Sequence, residues 1–226
     1  MVLIFAWQTI YSLLTKRLFS MFKNLIKNIG TLVVVGKWNV HVFAPEWVKS
    51  NIFEGEEMQI SVAFPTGPYQ FRGKSFELTV SDNRLHFELL LEEESAKIEA
   101  VEALRTILRL LIQTPVTAFG ININYLTDAD MSGFFPKLIQ SNANSADIEI
   151  KREVKWSLEK KTDKTATNIR LCEESNGVFK FDVNYNYIVN NCADILSLID
   201  DDEVIIKKKS DCEQMLRHEF NLNFEN

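Results

Sequence analysis

Apolar and polar residues alternate one by one over several stretches of this chain, a pattern typical of strands that bury one face. Two stretches nearly repeat each other, because ININY at 121–125 and VNYNY at 183–187 both alternate an apolar residue with asparagine. Asparagine is depleted in strands, so four of them in matching places are unexpected. We therefore predict two strands that are sheet neighbours or mates by pseudo-symmetry.

The four amides are the candidate interaction residues, and two interpretations of them stay open. In the first they form the wet outer face of an antiparallel sheet, which commonly has one face in water, and the pattern favours this one. In the second they line a polar groove that hydrogen-bonds a partner. The residues are Asn122, Asn124, Asn184 and Asn186.

Hydrophobic periodicity also predicts the remaining elements. The predicted strands are 32–43, 58–64, 76–80, 85–91, 116–126, 148–159, 166–173 and 178–189. The predicted helices are 46–52, 96–113, 134–140, 193–199 and 211–220. Gly36 is a candidate bulge, and Asn176-Gly177 is a strong hairpin signal.

These elements predict an α+β fold, with antiparallel sheet or sheets and one long helix, near 96–113, packed across. Residues 31–140 form the first predicted half and residues 146–226 the second, joined by a small, polar linker at 141–145. The similarity of the two asparagine motifs adds the hypothesis that the halves are related by pseudo-symmetry. One domain or two is left open.

The first thirty residues are mostly apolar, with single basic residues at intervals. The run 2–14 has thirteen residues, too few to span a bilayer, which needs about 20. Residues 1–20 are either an extension before a functional start at Met21, a helix packed on the protein body, or an interfacial helix. Contact with a membrane is therefore expected only through residues 1–30.

Charge and cysteine content narrow the class of protein. The net charge of −6 and the pI near 5.2 disfavour a nucleic-acid binder, which usually carries a basic patch. Three cysteines without a Cys-x-x-Cys pair indicate a reducing compartment, so a cytoplasmic location is expected. Cys172 with His41 or His218 has no local signature of a nucleophile and its base.

Two acidic clusters resemble metal sites but fail on spacing. The motif that begins at Asp128 opens like a calcium loop, yet its twelfth position holds Ile139 instead of a carboxylate. The acids at 200–203 and the lysines at 207–209 flank 204–206, which predicts a solvated loop and a short edge strand. We find no phosphate loop and no hydrolase motif, and we predict no catalytic, cofactor or metal residue.

Three segments, at 36–39, 44–48 and 114–122, resemble those of uncharacterised bacterial conserved proteins with no assigned activity. The resemblance spans about residue 36 to the C-terminus. It implies no catalytic residue, cofactor or partner.

The expected function is that of a non-enzymatic, cytoplasmic protein-interaction module, whose protein partner binds a sheet edge or the joint between the halves. One alternative is a small-molecule or nucleotide binder with a pocket between sheet and helix. A second is a metal-dependent hydrolase or nuclease that uses Asp82, Asp128 and Asp182. The oligomeric state and the partner's identity are left open.

Overall fold

The structure, a computed structural model, describes residues 21–22, 30–62, 68–127, 131–134, 153–160, 165–174, 178–220 and 223–224. Its strands are β1 (Met21–Phe22), β2 (Thr31–Gly36), β3 (Gln59–Val62), β4 (Tyr69–Arg72), β5 (Phe76–Val80), β6 (Arg84–Leu89), β7 (Val116–Thr127), β8 (Glu153–Lys160), β9 (Thr165–Glu173), β10 (Phe179–Ile188) and β11 (Asn223–Phe224). Its α-helices are α1 (Pro45–Asn51), α2 (Glu94–Leu110), α3 (Cys192–Leu198) and α4 (Val204–Phe220). Short 3-10 helices cover Val40–Val42 and Ser132–Phe134.

Nine of the strands form one antiparallel sheet in the order β3-β4-β5-β6-β2-β7-β10-β9-β8. The twelve-residue strand β7 lies near its middle and pairs with β2 on one side and with β10 on the other. Strands from both predicted halves therefore share a single sheet, and the predicted α+β class with antiparallel pairing is confirmed. The short strands β1 and β11 pair separately, in parallel.

The alternation of residue types divides the sheet into a buried face and an open face. In β7, Ile121, Ile123 and Tyr125 are buried, whereas Asn122 and Asn124 between them are only half-buried. We call the side of the sheet that carries these two asparagines the open face. The other side carries the apolar core.

The core takes side chains from both ends of the sheet and from all four helices. Its largest fully buried members are Phe43, Phe71, Phe87, Phe119, Phe181, Leu32, Leu78, Leu85, Leu104, Ile107, Leu108 and Ile121. Fully burying such a side chain contributes about 1.5–3 kcal/mol, so this layer fixes which face of each strand points inward.

The described part of the chain has two long helices where the sequence predicts one. Helices α2 and α4 both have 17 residues. Helix α4 begins at Val204, so the short edge strand predicted around 204–206 is wrong. Ile205, Cys212 and Leu216 recur at helical spacing and are buried, which fixes one side of the helix against the core. The preceding acids lie at its N-terminal end, where the helix dipole stabilises negative charge.

A buried arginine joins α2 to the connection between α3 and α4. The side chain of Arg105 is 6% exposed, and its Nε donates a 2.7 Å hydrogen bond to the carbonyl oxygen of Ile199. Its guanidinium also pairs with Glu102 and Asp202. The contact therefore holds helices of the first and second predicted halves together.

Strand β2 ends at Gly36 and not at residue 43, as the sequence predicts. The register of β2 with β7 shifts between Val35 and Gly36, which confirms the predicted bulge. The chain then turns Trp38 into the core, where its Nε1 donates to the carbonyl oxygen of Val34 over 3.4 Å. Asn39 caps the following 3-10 helix and ends the extended conformation.

Several predictions lie outside the described residues. They are the N-terminal segment except 21–22, the joint and linker at 128–145 except 131–134, the calcium-like motif at its acidic positions, and the turn at 175–177. No helix in the described part of the chain is long and apolar enough to cross a membrane. A pseudo-symmetric relation of the halves stays a prediction.

Candidate interaction face

The two asparagine motifs meet in the middle of the sheet. Strands β7 and β10 pair antiparallel over ten residue pairs, and Asn122 stands directly opposite Asn184. The Nδ2 of Asn184 donates a 2.6 Å hydrogen bond to the Oδ1 of Asn122. This confirms the prediction that the strands are sheet neighbours.

These two amides belong to a longer row of hydrogen-bonded side chains, which we call the polar row. Its members, in order across β8, β9, β10, β7 and β2, are Ser157, Asn168, Asn184, Asn122 and Thr31. Each stands opposite the next, and the donor-to-acceptor distances along the row are 2.9, 3.2, 2.6 and 2.8 Å. All four bonds run in one direction, so their dipoles add and neighbouring bonds strengthen one another.

Strand register extends the line of the polar row to the far edge of the sheet. Thr31 stands opposite Glu88, Glu88 opposite Glu77, Glu77 opposite Arg72, and Arg72 opposite Gln59. Arg72 pairs with Glu77 at 3.5 Å. Polar side chains thus occupy one transverse line over all nine strands, a width of roughly 40 Å at the usual strand spacing.

The amides of the polar row retain capacity for further hydrogen bonds. A side-chain amide has two N–H donors and two oxygen lone pairs. Within the described part of the chain, Asn122 and Asn184 each use one donor and one lone pair on row neighbours. The remaining donor and lone pair of each are available to groups above the open face.

The other two candidate asparagines flank the row on the same face. Asn124 stands opposite Asp182, and Asn186 stands opposite Gly120. A Cβ atom at Gly120 would come within 3.2 Å of the Nδ2 of Asn184, so the glycine leaves room for that amide. All four candidate residues therefore share the open face, in the polar row or one row to either side of it.

A network of ion pairs lies beside the row on β8, β9 and β10. Arg170 pairs with Glu153 at 2.6 Å and with Asp182 at 3.3 Å. Lys155 and Lys180 complete it, at 2.6 Å from Glu153 and 2.8 Å from Asp182 respectively. Hydrogen bonds from Lys155 and Arg170 lower the pKa of Glu153, and the bond to Glu153 raises the pKa of Arg170. Glu153 and Arg170 are consequently charged near neutral pH.

The row and the ion-pair network border a shallow groove of about 530 Å³. The side chains that line it from the open face are Lys155, Ser157, Asn168, Arg170, Asp182 and Asn184. The groove offers hydrogen-bond donors, acceptors and paired charges.

The thiol on this face is poorly suited to nucleophilic chemistry. Cys172 is buried, and its Sγ lies 3.6 Å from Glu174 and 3.7 Å from the carbonyl oxygen of Lys180. Burial and nearby carboxylates raise its pKa to about 11. The reactive species is the thiolate, so this thiol is largely unreactive at neutral pH.

The carboxylates proposed for metal chemistry do not converge where they can be placed. Asp82 lies in the turn before β6. The first residue of β6 stands opposite Val35, which in turn stands opposite Ala118 of β7. Asp182, by contrast, stands opposite Asn124 of β7. Six residues of β7 separate these levels, about 20 Å of strand. No group of three His, Cys, Asp or Glu in the described residues is arranged to hold a metal. Asp128 lies outside them.

Sequence reasoning missed three members of the polar row. Asn168 and Ser157 lie on strands that were correctly predicted, and Thr31 opens β2. The alternation of side chains along β9 could have identified Asn168, because it places Asn168 on the same polar side as Arg170, just as Asn184 shares the polar side of β10 with Asp182. Alternation shows which face a residue occupies, but only the strand register shows which residue stands opposite it.

Comparison of the chain with protein-family models found no match, and comparison with curated proteins found none either.

Proposed function

We propose that the protein is a non-enzymatic interaction module that binds another protein on the open face of its sheet. The observation that carries the proposal is the polar row, which orders three amides and two hydroxyls across five neighbouring strands, with unused hydrogen-bonding capacity on the amides. Protein interfaces typically contain about ten direct hydrogen bonds. A rigid row of donors and acceptors supplies several of them with little loss of side-chain entropy on binding.

The size of the open face suits a protein better than a small ligand. Nine strands with about six residues each give a surface of roughly 40 by 20 Å. That is on the order of the 800 Å² that each partner contributes to a standard interface. The bordering groove is shallow and open, whereas small-molecule sites are clefts or cavities that bury most of the ligand.

The charge of the open face also favours a protein partner. Its described cations are Lys155, Arg170, Lys180, Arg72 and Arg84, and its described carboxylates are Glu153, Asp182, Glu77 and Glu88. Five positive charges against four negative ones leave no strong field for phosphate groups. A balanced surface of this kind fits a partner with mixed charges.

A cytoplasmic location is part of the same proposal. All three cysteines, Cys172, Cys192 and Cys212, are buried and free. Unpaired thiols fit a reducing compartment, because secreted proteins of this size commonly oxidise theirs to disulfides.

A second candidate function, binding of a small molecule, is favoured by one cavity between sheet and helix. It has about 360 Å³, and α4 lines it with Lys208 and Asp211 opposite Tyr185. The Lys208 ammonium lies 5.2 Å from the centre of the Tyr185 ring. A thermal-shift panel of metals, nucleotides and lipids tests this candidate, because a ligand that binds only the folded state raises the melting temperature.

Affinity capture at native expression tests the interaction on the open face. The natural chain is compared with Asn186→Arg, which puts a long charged side chain beside the polar row. Ser210→Arg is the matched control, since Ser210 is exposed on α4, away from the open face. We expect a protein that copurifies with the natural chain and with S210R but is depleted from N186R. The proposal fails if the chain is monomeric and captures no protein, or if both variants capture equally while remaining folded.

A further inference from the structure

The two edges of the nine-stranded sheet differ in how they are protected from pairing with another strand. The edge strand β8 has the sequence EVKWSLEK, in which charged residues occupy half of the positions. The edge strand β3 has the sequence QISV, without a charge or a proline, and all four of its residues are exposed. Charges and prolines on an edge prevent unwanted strand addition, so β8 is protected and β3 is not.

Strand β3 also presents two unsupported apolar side chains. Ile60 is 43% exposed and Val62 is 50% exposed, and they stand opposite Phe71 and Tyr69 of β4. Phe71 is fully buried, so the apolar layer continues under β4 but stops at the edge. An added strand with apolar residues at alternate positions would extend this layer by one strand.

A cationic cavity lies at the end of β3 that begins with Gln59. It has about 550 Å³ and is lined by Lys49, Glu57, Met58, Gln59, Arg72, Gly73 and Lys74. Three cations thus face one carboxylate. Among the described residues, neither Lys49 nor Lys74 has a carboxylate partner, and Arg72 pairs only with Glu77 of the neighbouring strand β5. The cavity is therefore complementary to carboxylate groups.

We propose that β3 is a docking edge for an extended segment of another protein, which adds to the sheet as a tenth strand. All eight pairings of the sheet are antiparallel, so the segment is expected to run antiparallel to β3. Its C-terminal end then lies beside Gln59 and the cationic cavity. The segment therefore has alternating apolar residues followed by acidic residues at its C-terminal end.

A second copy of this chain is a poorer occupant for the same edge. Each copy would leave its cationic cavity without added carboxylates. The cavity shares Gln59 and Arg72 with the open face, but the variants that test the edge lie at other positions, so failure of this proposal is distinguishable from failure of the proposed function.

Synthetic peptides of about ten residues test the edge directly. One alternates valine with threonine and ends in two glutamates; a second carries the glutamates at its N-terminus, and a third ends in two lysines. Binding of each labelled peptide to the full chain is measured by fluorescence anisotropy at low salt. We expect saturable binding of the first peptide and about fivefold weaker binding of the other two, the loss of one or two exposed ion pairs.

Variants of the chain locate the binding site. Ile60→Lys places a charge on the edge at an exposed position, so the fold is retained, and should weaken the first peptide about tenfold or more. Leu158→Lys is the matched control on the opposite edge, where Leu158 is 53% exposed, and should leave binding unchanged. Lys49→Glu with Lys74→Glu changes the lining from three cations and one carboxylate to one cation and three carboxylates, so it should make the third peptide bind more tightly than the first.

Four outcomes would overturn the proposal. They are absence of binding by the first peptide, equal binding of all three peptides, equal binding to I60K and the natural chain, and loss of binding in L158K. Sedimentation of the natural chain as a dimer that I60K dissociates would overturn it too, because the edge would then belong to a second copy.

Discussion

The side-chain amide of Asn184 donates a 2.6 Å hydrogen bond to the side-chain oxygen of Asn122, directly across the pairing of β10 with β7. Strand β7 ends the first predicted half of the chain and β10 ends the sheet portion of the second. The contact therefore lies at the seam between them, inside an otherwise continuous sheet. It also lies at the centre of the polar row, so its removal should affect both stability and recognition.

Replacing the central amide should lower stability measurably. Asn184→Ala leaves the Oδ1 of Asn122 and the Nδ2 of Asn168 without their partners on half-buried side chains. A hydrogen bond contributes about 0.5–1.5 kcal/mol, so we expect the free energy of unfolding to fall by about 1–2 kcal/mol. Urea unfolding followed by circular dichroism measures the change.

Asn124→Ala is the matched control for this substitution. Asn124 lies on the same face one row away, is half-buried, and has no hydrogen bond from its side chain within the described residues. We expect a change of less than about 0.5 kcal/mol. Equal losses in N124A and N184A would mean that the row contributes no more than ordinary surface contacts.

Loss of the buried arginine should uncouple α2 from the connection between α3 and α4. Arg105→Met keeps the apolar stem but removes the donors to the carbonyl oxygen of Ile199. Hydrogen bonds from charged groups contribute about 1.5–3 kcal/mol, so a loss of about 2–3 kcal/mol is expected. Arg109→Met, at an exposed position of the same helix, should change stability by less than about 0.5 kcal/mol. Similar midpoints of thermal unfolding for R105M and R109M would contradict this role.

The bulge that ends β2 should tolerate no side chain. A Cβ atom at Gly36 would lie 2.7 Å from the carbonyl oxygen of Pro115 and 3.0 Å from Val116. Both lie at the start of β7, which pairs with β2 here, and the Pro115 oxygen accepts a hydrogen bond from the N–H of Lys37. Relief therefore requires backbone movement, and Gly36→Ala should cost about 1–3 kcal/mol. Gly133→Ala meets nothing within 4 Å and serves as the control. Calorimetry of both variants separates this clash from a general effect of replacing glycine.

Most strands could be predicted from the sequence, because alternating apolar and polar residues indicate a strand with one buried face. The alternation in β7 and β10 gave the two strands and their polar faces nearly to the residue. Strand β4 was missed, because four residues between Pro68 and Gly73 are too few to show a period. It forms through its pairing with β3 and β5, which is a tertiary effect.

Strand register was the part that local signals could not give. A two-residue loop at 176–177 would set Asn184 opposite Ile169, on the buried face. The structure instead pairs Glu173 with Phe179, and this shift by one residue brings Asn168 beside Asn184. The polar row was therefore hidden, because a shift of one residue exchanges the two faces of a strand.

Local patterns also gave a wrong prediction for the charged segment at the start of α4. The lysines at 207–209 resemble edge-strand protection, yet they belong to α4. Lys207 pairs with Asp201 and Glu203 before the helix, and Lys208 and Lys209 pair with acids one turn later. These pairs at helical spacing support the helix, and burial of Ile205 fixes its orientation.

Stability should fall as pH decreases from about 7 to about 5.5, and His86 should contribute part of the loss. Burial lowers the pKa of His86 below its ordinary value; Arg84 lowers it further, while Glu88 and Glu77 act in the opposite direction. Because the folded pKa is lower, the unfolded chain binds the proton first. Above the unfolded pKa the imidazole is neutral in both states, so it does not reduce the free energy of unfolding. Stability is lost as the pH falls from the unfolded pKa to the lower folded pKa.

The contribution of His86 can be isolated by substitution. His86→Gln removes the titrating group from the open face, so its free energy of unfolding should depend less on pH between 7 and 5.5 than that of the natural chain. His41→Gln, at an exposed position in the 3-10 helix, should retain the natural dependence. Urea unfolding at several pH values gives both slopes. A slope in H86Q as steep as that of the natural chain would assign the pH dependence to other groups.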